Sequence, residues 1–152
     1  MLRFVFNALA ICGAASFAGA MITIGLAFGA YWNSLPPADF LDWFSLNGHL
    51  IGRVIPIFAV PAAIGLVASL WLGWNGGHRG AWVVATAAMA MVGAITAIYH
   101  LPTNAGFAAK TIPLDAVSST LATWLSLHWV RIAMAVVSAV AAIQATVYER
   151  AS

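Results

Sequence analysis

Charge is what this sequence has least of. Its 152 residues include six Lys or Arg and four Asp or Glu, 7% in all, where a soluble globular domain carries about 25%. So few charges cannot clothe a folded surface for water, and a mean hydropathy of +0.96 makes lipid the solvent for most of the chain. The same scarcity excludes intrinsic disorder, which needs a polar, charged composition. It also excludes nucleic-acid binding, which needs a dense basic patch, because the net charge is only +2. Cysteine is nearly absent: Cys12 alone builds neither a disulfide framework nor a paired-cysteine metal motif. No Asp or Glu falls inside a long apolar run, which removes the mid-membrane carboxylate typical of transporters and proton relays.

What is there is apolar sequence, 63% of the chain. A helical span needs about 20 mostly apolar residues, and four stretches qualify: residues 4–31, 52–74, 81–101 and 124–148. Their apolar residues fall on every face, so they read as helices rather than the alternating strands of a membrane barrel. The expectation is a single all-α domain over residues 1–152, an integral membrane four-helix bundle. Arg3, an apolar run and Ala18-Gly19-Ala20 imitate a signal peptide. Cleavage there would leave too little to span, so an uncleaved first helix is expected. Residues 37–44 read as a short interfacial helix before the second span, with Pro37 in its first turn and Asp39 near its positive end. Phe40, Trp43 and Phe44 would then rest among headgroups, as would Trp32 and Trp129.

Direction follows from the cations. Arg3, Arg79 and Arg150 share one side, while Asp39, Asp42, Asp115 and Lys110 occupy the other. Both termini are therefore expected in the cytoplasm, of a bacterial inner membrane, with the longer loops 32–51 and 102–123 outside. Pro102 is expected to end the third helix before Asn104. Gly25-x-x-x-Gly29 and Gly48-x-x-x-Gly52 fit closely packed helices. Asn7 and Gln144 read as helix contacts, and Met89, Met91 and Met134 as gap fillers.

Polar residues at membrane depth are costly and mark function, and here they gather at the outer end. Asn47, His49 and Arg53 open the second span; Thr96, His100 and Asn104 close the third; Trp124, His128 and Arg131 open the fourth. Spacings of three and four put His49 with Arg53, Thr96 with His100, and Trp124 with His128 and Arg131 on common helical faces. The expected result is a strip facing the bundle interior. Three readings compete for it. The residues anchor helix ends in the headgroups; or His49, His100 and His128 ligate a metal or haem; or the group binds a lipophilic aromatic or quinone-type ligand. The lipid bilayer is one expected partner, and the lipophilic small molecule a second. A membrane-protein partner or a second copy of the chain is a third, through a role as accessory subunit.

These motifs also resemble a family. The first helix ends near Leu35-Pro36-Pro37, the second carries Phe40, Asn47 and Pro56, and two signatures follow: Thr96-x-x-x-His100-Leu101-Pro102-Thr103-Asn104 and Trp124-x-x-x-His128-x-x-Arg131. Over nearly its whole length the chain is similar to small four-helix membrane proteins, mostly bacterial, that include the fungal anthrone oxygenases. One departure is His128, where many members carry Asn. The resemblance implies oxygenation of an anthrone-like carbon acid without an organic cofactor. His100 or His128 would be the base, and Arg131, Arg53 and Asn104 would hold the oxyanion.

Overall fold

The computed structural model describes the chain from Met1 to Ala151, with side chains as far as Tyr148. Four helical rods follow one another. The first joins α1 (Leu2–Thr23), a π-helical turn (Ile24–Phe28) and α2 (Gly29–Ser34). The second is α3 (Pro37–Leu72). The third joins α4 (Arg79–Ile95), a second π-helical turn (Thr96–His100) and α5 (Leu101–Ala108), and the fourth is α6 (Leu114–Ala151). All four are long and apolar enough to cross a membrane, and no strand occurs among the described residues. The fold is an all-α four-helix membrane bundle.

Its connections are shorter than the sequence suggested. Residues 32–51 are helical apart from the bend at Leu35 and Pro36, and of residues 102–123 only 109–113 lie outside a helix. The expected interfacial helix is simply the start of α3. Pro36 is extended (φ −56°, ψ 149°), Pro37 occupies the first turn, and nothing downstream interrupts the helix through Pro56 and Pro61. Pro102 does not end the third rod either. A proline inside a helix lacks a donor N–H and collides with the carbonyl four residues back. The π turn over Thr96–His100 widens the helix just ahead of it, and the chain continues helically to Ala108.

Short connections make neighbouring rods antiparallel. At the end holding the N-terminus, the Arg3 guanidinium (Nη2) donates to His78 Nε2 at 2.7 Å. At the far end, Lys110 pairs with Asp42 at 2.5 Å across two rods. Arg150, used above for orientation, lies outside the described side chains. Exposed Arg53 and exposed Trp71 bracket a stretch of α3 without charge, roughly 27 Å of helix. That matches a hydrocarbon core of ~30 Å. The rods run on beyond Arg53 at the far end.

Side chains fill the two halves differently. Near the N-terminal end the core is small: Ala10, Ala85, Ala141, Ala142 and Ala145 pack around Trp82 and Leu66. A Cβ added at Gly13 would come within 2.7 Å of the Ala62 backbone, and Gly65 lies equally tight on the Ala10 backbone. The far half is aromatic. Trp32, Phe40, Phe44 and Phe107 are at most 5% exposed, with Phe40 and Phe107 edge to face at 4.8 Å. This corrects the headgroup reading of Trp32, Phe40 and Phe44. Their amphipathic rings are used to fill the bundle above the apolar belt, while Trp43 is half-buried and Trp129 exposed. Gln144 and Met91 are exposed too, so neither is the interhelical contact or filler expected.

Where α1 meets α3, backbone contact leaves no volume for a branched side chain. Gly65→Val is expected to cost about 1–3 kcal/mol through overpacking, read as a lowered melting temperature in detergent. The same change at Gly93, where nothing lies within 4 Å of an added Cβ, should leave packing undisturbed.

Candidate ligand site

Trp124, His128 and Arg131 project from one face of α6 into the bundle, each at most 5% exposed. The Trp124 indole and the His128 imidazole stack at 5.0 Å and 12°. His100, carried in by the second π turn and 1% exposed, meets Trp124 at 4.8 Å and 61°. The two imidazole centroids are 6.3 Å apart. Asn104 Oδ1 accepts from Trp124 Nε1 at 2.8 Å, tying α5 to α6. The Thr96 hydroxyl turns back to the Val92 carbonyl at 2.7 Å.

Both imidazoles have their tautomer set by a backbone carbonyl, which only accepts. His128 Nε2 lies 2.8 Å from the Met21 carbonyl, so Nε2 carries the hydrogen and Nδ1 keeps its lone pair. His100 Nδ1 faces the Ile95 carbonyl at 3.4 Å, which leaves Nε2 as the bare nitrogen. Both bare nitrogens are buried and without a hydrogen-bond partner. Each is a neutral base in waiting.

Arg131 is the unusual member. Its guanidinium is buried, it reaches Met21 Sδ at 3.6 Å, and its Nε has no partner. No carboxylate of the described residues stands near it. Among the described side chains, the acids Asp39, Asp42 and Asp115 are exposed at the far end. A buried cation normally sits beside an anion or a full set of acceptors.

These groups line a cavity of about 190 Å³ with walls from all four rods, open on the flank where Gly52 and Pro56 of α3 and Leu101 of the third rod are exposed. Thr96, His100, Asn104, Trp124, His128 and Arg131 all border it. Larger grooves flank α1: one is lined by Arg3, Asn7, Cys12 and Thr146 at the N-terminal end, and the other is almost wholly apolar. Neither contains a histidine or an aromatic side chain other than Phe4 and Phe58. Three residues of the expected strip do not join. His49 and Arg53 do share a helical face, but it is the exposed one; spacing fixes a common direction without saying which. Asn47 donates to the Trp43 carbonyl of its own helix at 2.9 Å. With His49 outside, the three-histidine metal set is not assembled, and no three His, Cys, Asp or Glu side chains converge among the described residues.

Sequence reasoning also missed residues. Met21 and Ile24 enter from the first rod, and Ile51, Ile55 and Pro56 from α3. The signals lay in the glycine pairs. A Cβ at Gly25 would stand 3.3 Å from His128 Cδ2 and one at Gly29 2.9 Å from Leu125, so this pair is where α6 and its histidine approach the first rod. Gly48 and Gly52 line the cavity itself. The two π turns left no signal, since their residues read as ordinary helix.

Replacing an uncompensated buried charge by an apolar chain of similar length relieves desolvation. Arg131→Met is therefore expected to stabilise the bundle by about 1–4 kcal/mol, seen as a raised melting temperature. Arg53→Met, on the exposed face, should change it by less than about 0.5 kcal/mol.

No family model matches this chain, and neither does any curated protein or solved structure.

Proposed function

We propose that this chain binds a lipophilic aromatic ligand able to carry an oxyanion, a phenol, hydroquinone, quinone or enolisable ketone, in the cavity of its far half. The observation that carries the reading is Arg131, a buried guanidinium with no carboxylate beside it among the described residues, on the wall of this cavity. Such a site is completed by a ligand that brings the negative charge. The neighbouring groups suit the rest of the molecule. Apolar Ile24, Ile51 and Ile55 and the Trp124 indole accept rings, and His100 and His128 offer bare nitrogens to hydroxyl or acidic C–H groups. At about 190 Å³ the cavity is below the roughly 300–1,000 Å³ of sites that enclose drug-sized ligands. It suits one or two rings.

The resemblance to the anthrone oxygenase-like family supplies a reaction for these residues. His100 Nε2 removes a proton from the acidic carbon, and Arg131 stabilises the resulting enolate oxygen in low dielectric. The enolate then reduces dioxygen, the co-reactant. One oxygen atom becomes the new carbonyl and the other leaves as water with the two hydrogens of the original CH₂. His128 is the positioning residue, because its Nε2–H is committed to the Met21 carbonyl and its ring to Trp124. The orientation that goes with this reading has both termini in the cytoplasm of a bacterial inner membrane. The cations Arg3 and Arg79 support it.

Trp124 makes binding measurable. A hydroxynaphthoquinone titrated into protein in nanodiscs should quench tryptophan fluorescence saturably, and Arg131→Met should weaken it by about tenfold or more, the worth of a charge-assisted hydrogen bond. Unchanged affinity in Arg131→Met would defeat the reading. With anthrone as substrate, oxygen uptake should fall at least about a hundredfold in His100→Asn while ring binding persists. For orientation, in a Cys12→Ser background, an impermeant maleimide applied to intact cells should label Ser45→Cys and spare Asn75→Cys.

A further inference from the structure

A second depression lies against the cavity on the lipid side. It has a volume of about 300 Å³ and runs between the first rod and α3. Ala20, Thr23 and Phe28 form one wall, and Leu50 and Val54 the other. Its floor is Ile24, Ile51 and Ile55, the same three side chains that wall the polar cavity. Three isoleucines are thus all that separates a buried cation and two imidazoles from an open apolar groove. Ile51 and Ile55 are only half-buried, and both belong to the part of α3 that leads into Pro56.

The groove contains nothing for a polar group to bind. Its one hydroxyl, Thr23, is spent on the Gly19 carbonyl at 3.0 Å, and Leu50 and Val54 are about half exposed toward lipid. From Ala20 to Phe28 it follows the first rod for roughly 12 Å, which suits a flexible chain laid along the helix better than a rigid ring system. The cavity alone is too small to enclose a large ligand. The two spaces together fit one molecule with two parts.

We infer that the ligand is an amphiphile whose ring head occupies the cavity at Arg131 and whose alkyl or prenyl tail lies in the groove between the first rod and α3. This rests on the ligand reading above and narrows it to chain-bearing quinones and phenols. Lipid tails are as apolar as the groove, so the tail gains packing and orientation there rather than hydrophobic transfer energy. The head supplies the attraction, and the tail fixes the direction of approach, from the bilayer past Ile51 and Ile55.

The test uses the full-length protein in nanodiscs and two probes: a chainless hydroxynaphthoquinone, and the same ring carrying a ten-carbon chain with a photoreactive diazirine near its end. After illumination, peptide mapping should place the label on residues 20–28 and 50–54, and excess chainless ring should suppress it. Val54→Trp, which fills the groove, should lower that labelling about fivefold. Label scattered over the lipid-facing side of α6, around Val136 and Val140, or label that the chainless ring does not compete, would overturn the inference. In that event saturable quenching by the chainless ring would still uphold the head site. Absence of quenching by either probe would overturn both.

Discussion

The architecture turns on one electrostatic constraint: the Arg131 guanidinium is held away from water in a lipid-embedded bundle, with no acid beside it among the described residues. A buried charge without a counter-ion carries an unfavourable desolvation term, which the packing must offset. The offset comes from elsewhere in the bundle. Glycine and alanine contacts join α1 to α3 and α4 to α6, and the far half is filled with interlocked aromatic rings. The halves divide the work, one supplying close backbone approach and the other the rigid frame around Arg131, His100 and His128.

Irregular helix lies beside both histidines, although His128 itself stands on the regular α6. The first π turn begins just after Met21, whose carbonyl anchors His128, and the second ends on His100 itself. A widened turn changes the angular position of everything after it, and π turns recur at functional sites for that reason. The second turn also reconciles His100 with Pro102. Pro102 follows the widened turn directly, and the rod's continuation to Ala108 holds Asn104 against the Trp124 indole.

Much of this was legible in the sequence, for reasons that can be stated residue by residue. Four spans follow from length and hydropathy alone. Trp124, His128 and Arg131 were readable as a unit because spacings of four and three permit no other arrangement on a helix. His49 and Arg53 show where that logic stops: their spacing is as good, yet the face they share looks outward. Deciding between faces requires knowing which side of α3 packs inward, and that is set by Ile51, Ile55 and the two glycines, all unremarkable in so apolar a chain. The aromatic residues were misread for a related cause. Trp32, Phe40 and Phe44 have the composition of an interfacial belt, but the helices continue past the expected boundary and bury them in a core of their own.

That aromatic core, standing above the apolar belt, separates the cavity from the aqueous phase. Trp32, Phe40, Phe44 and Phe107 fill the bundle at that end, while the exposed Gly52, Pro56 and Leu101 put the cavity's opening on the flank of the bundle. For the ligand proposed above, entering from the bilayer, the concentration that governs occupancy is its mole fraction among lipids, a two-dimensional quantity. Adding buffer leaves a strongly partitioned ligand where it was, whereas adding bilayer dilutes it. The membrane is the reservoir as well as the solvent.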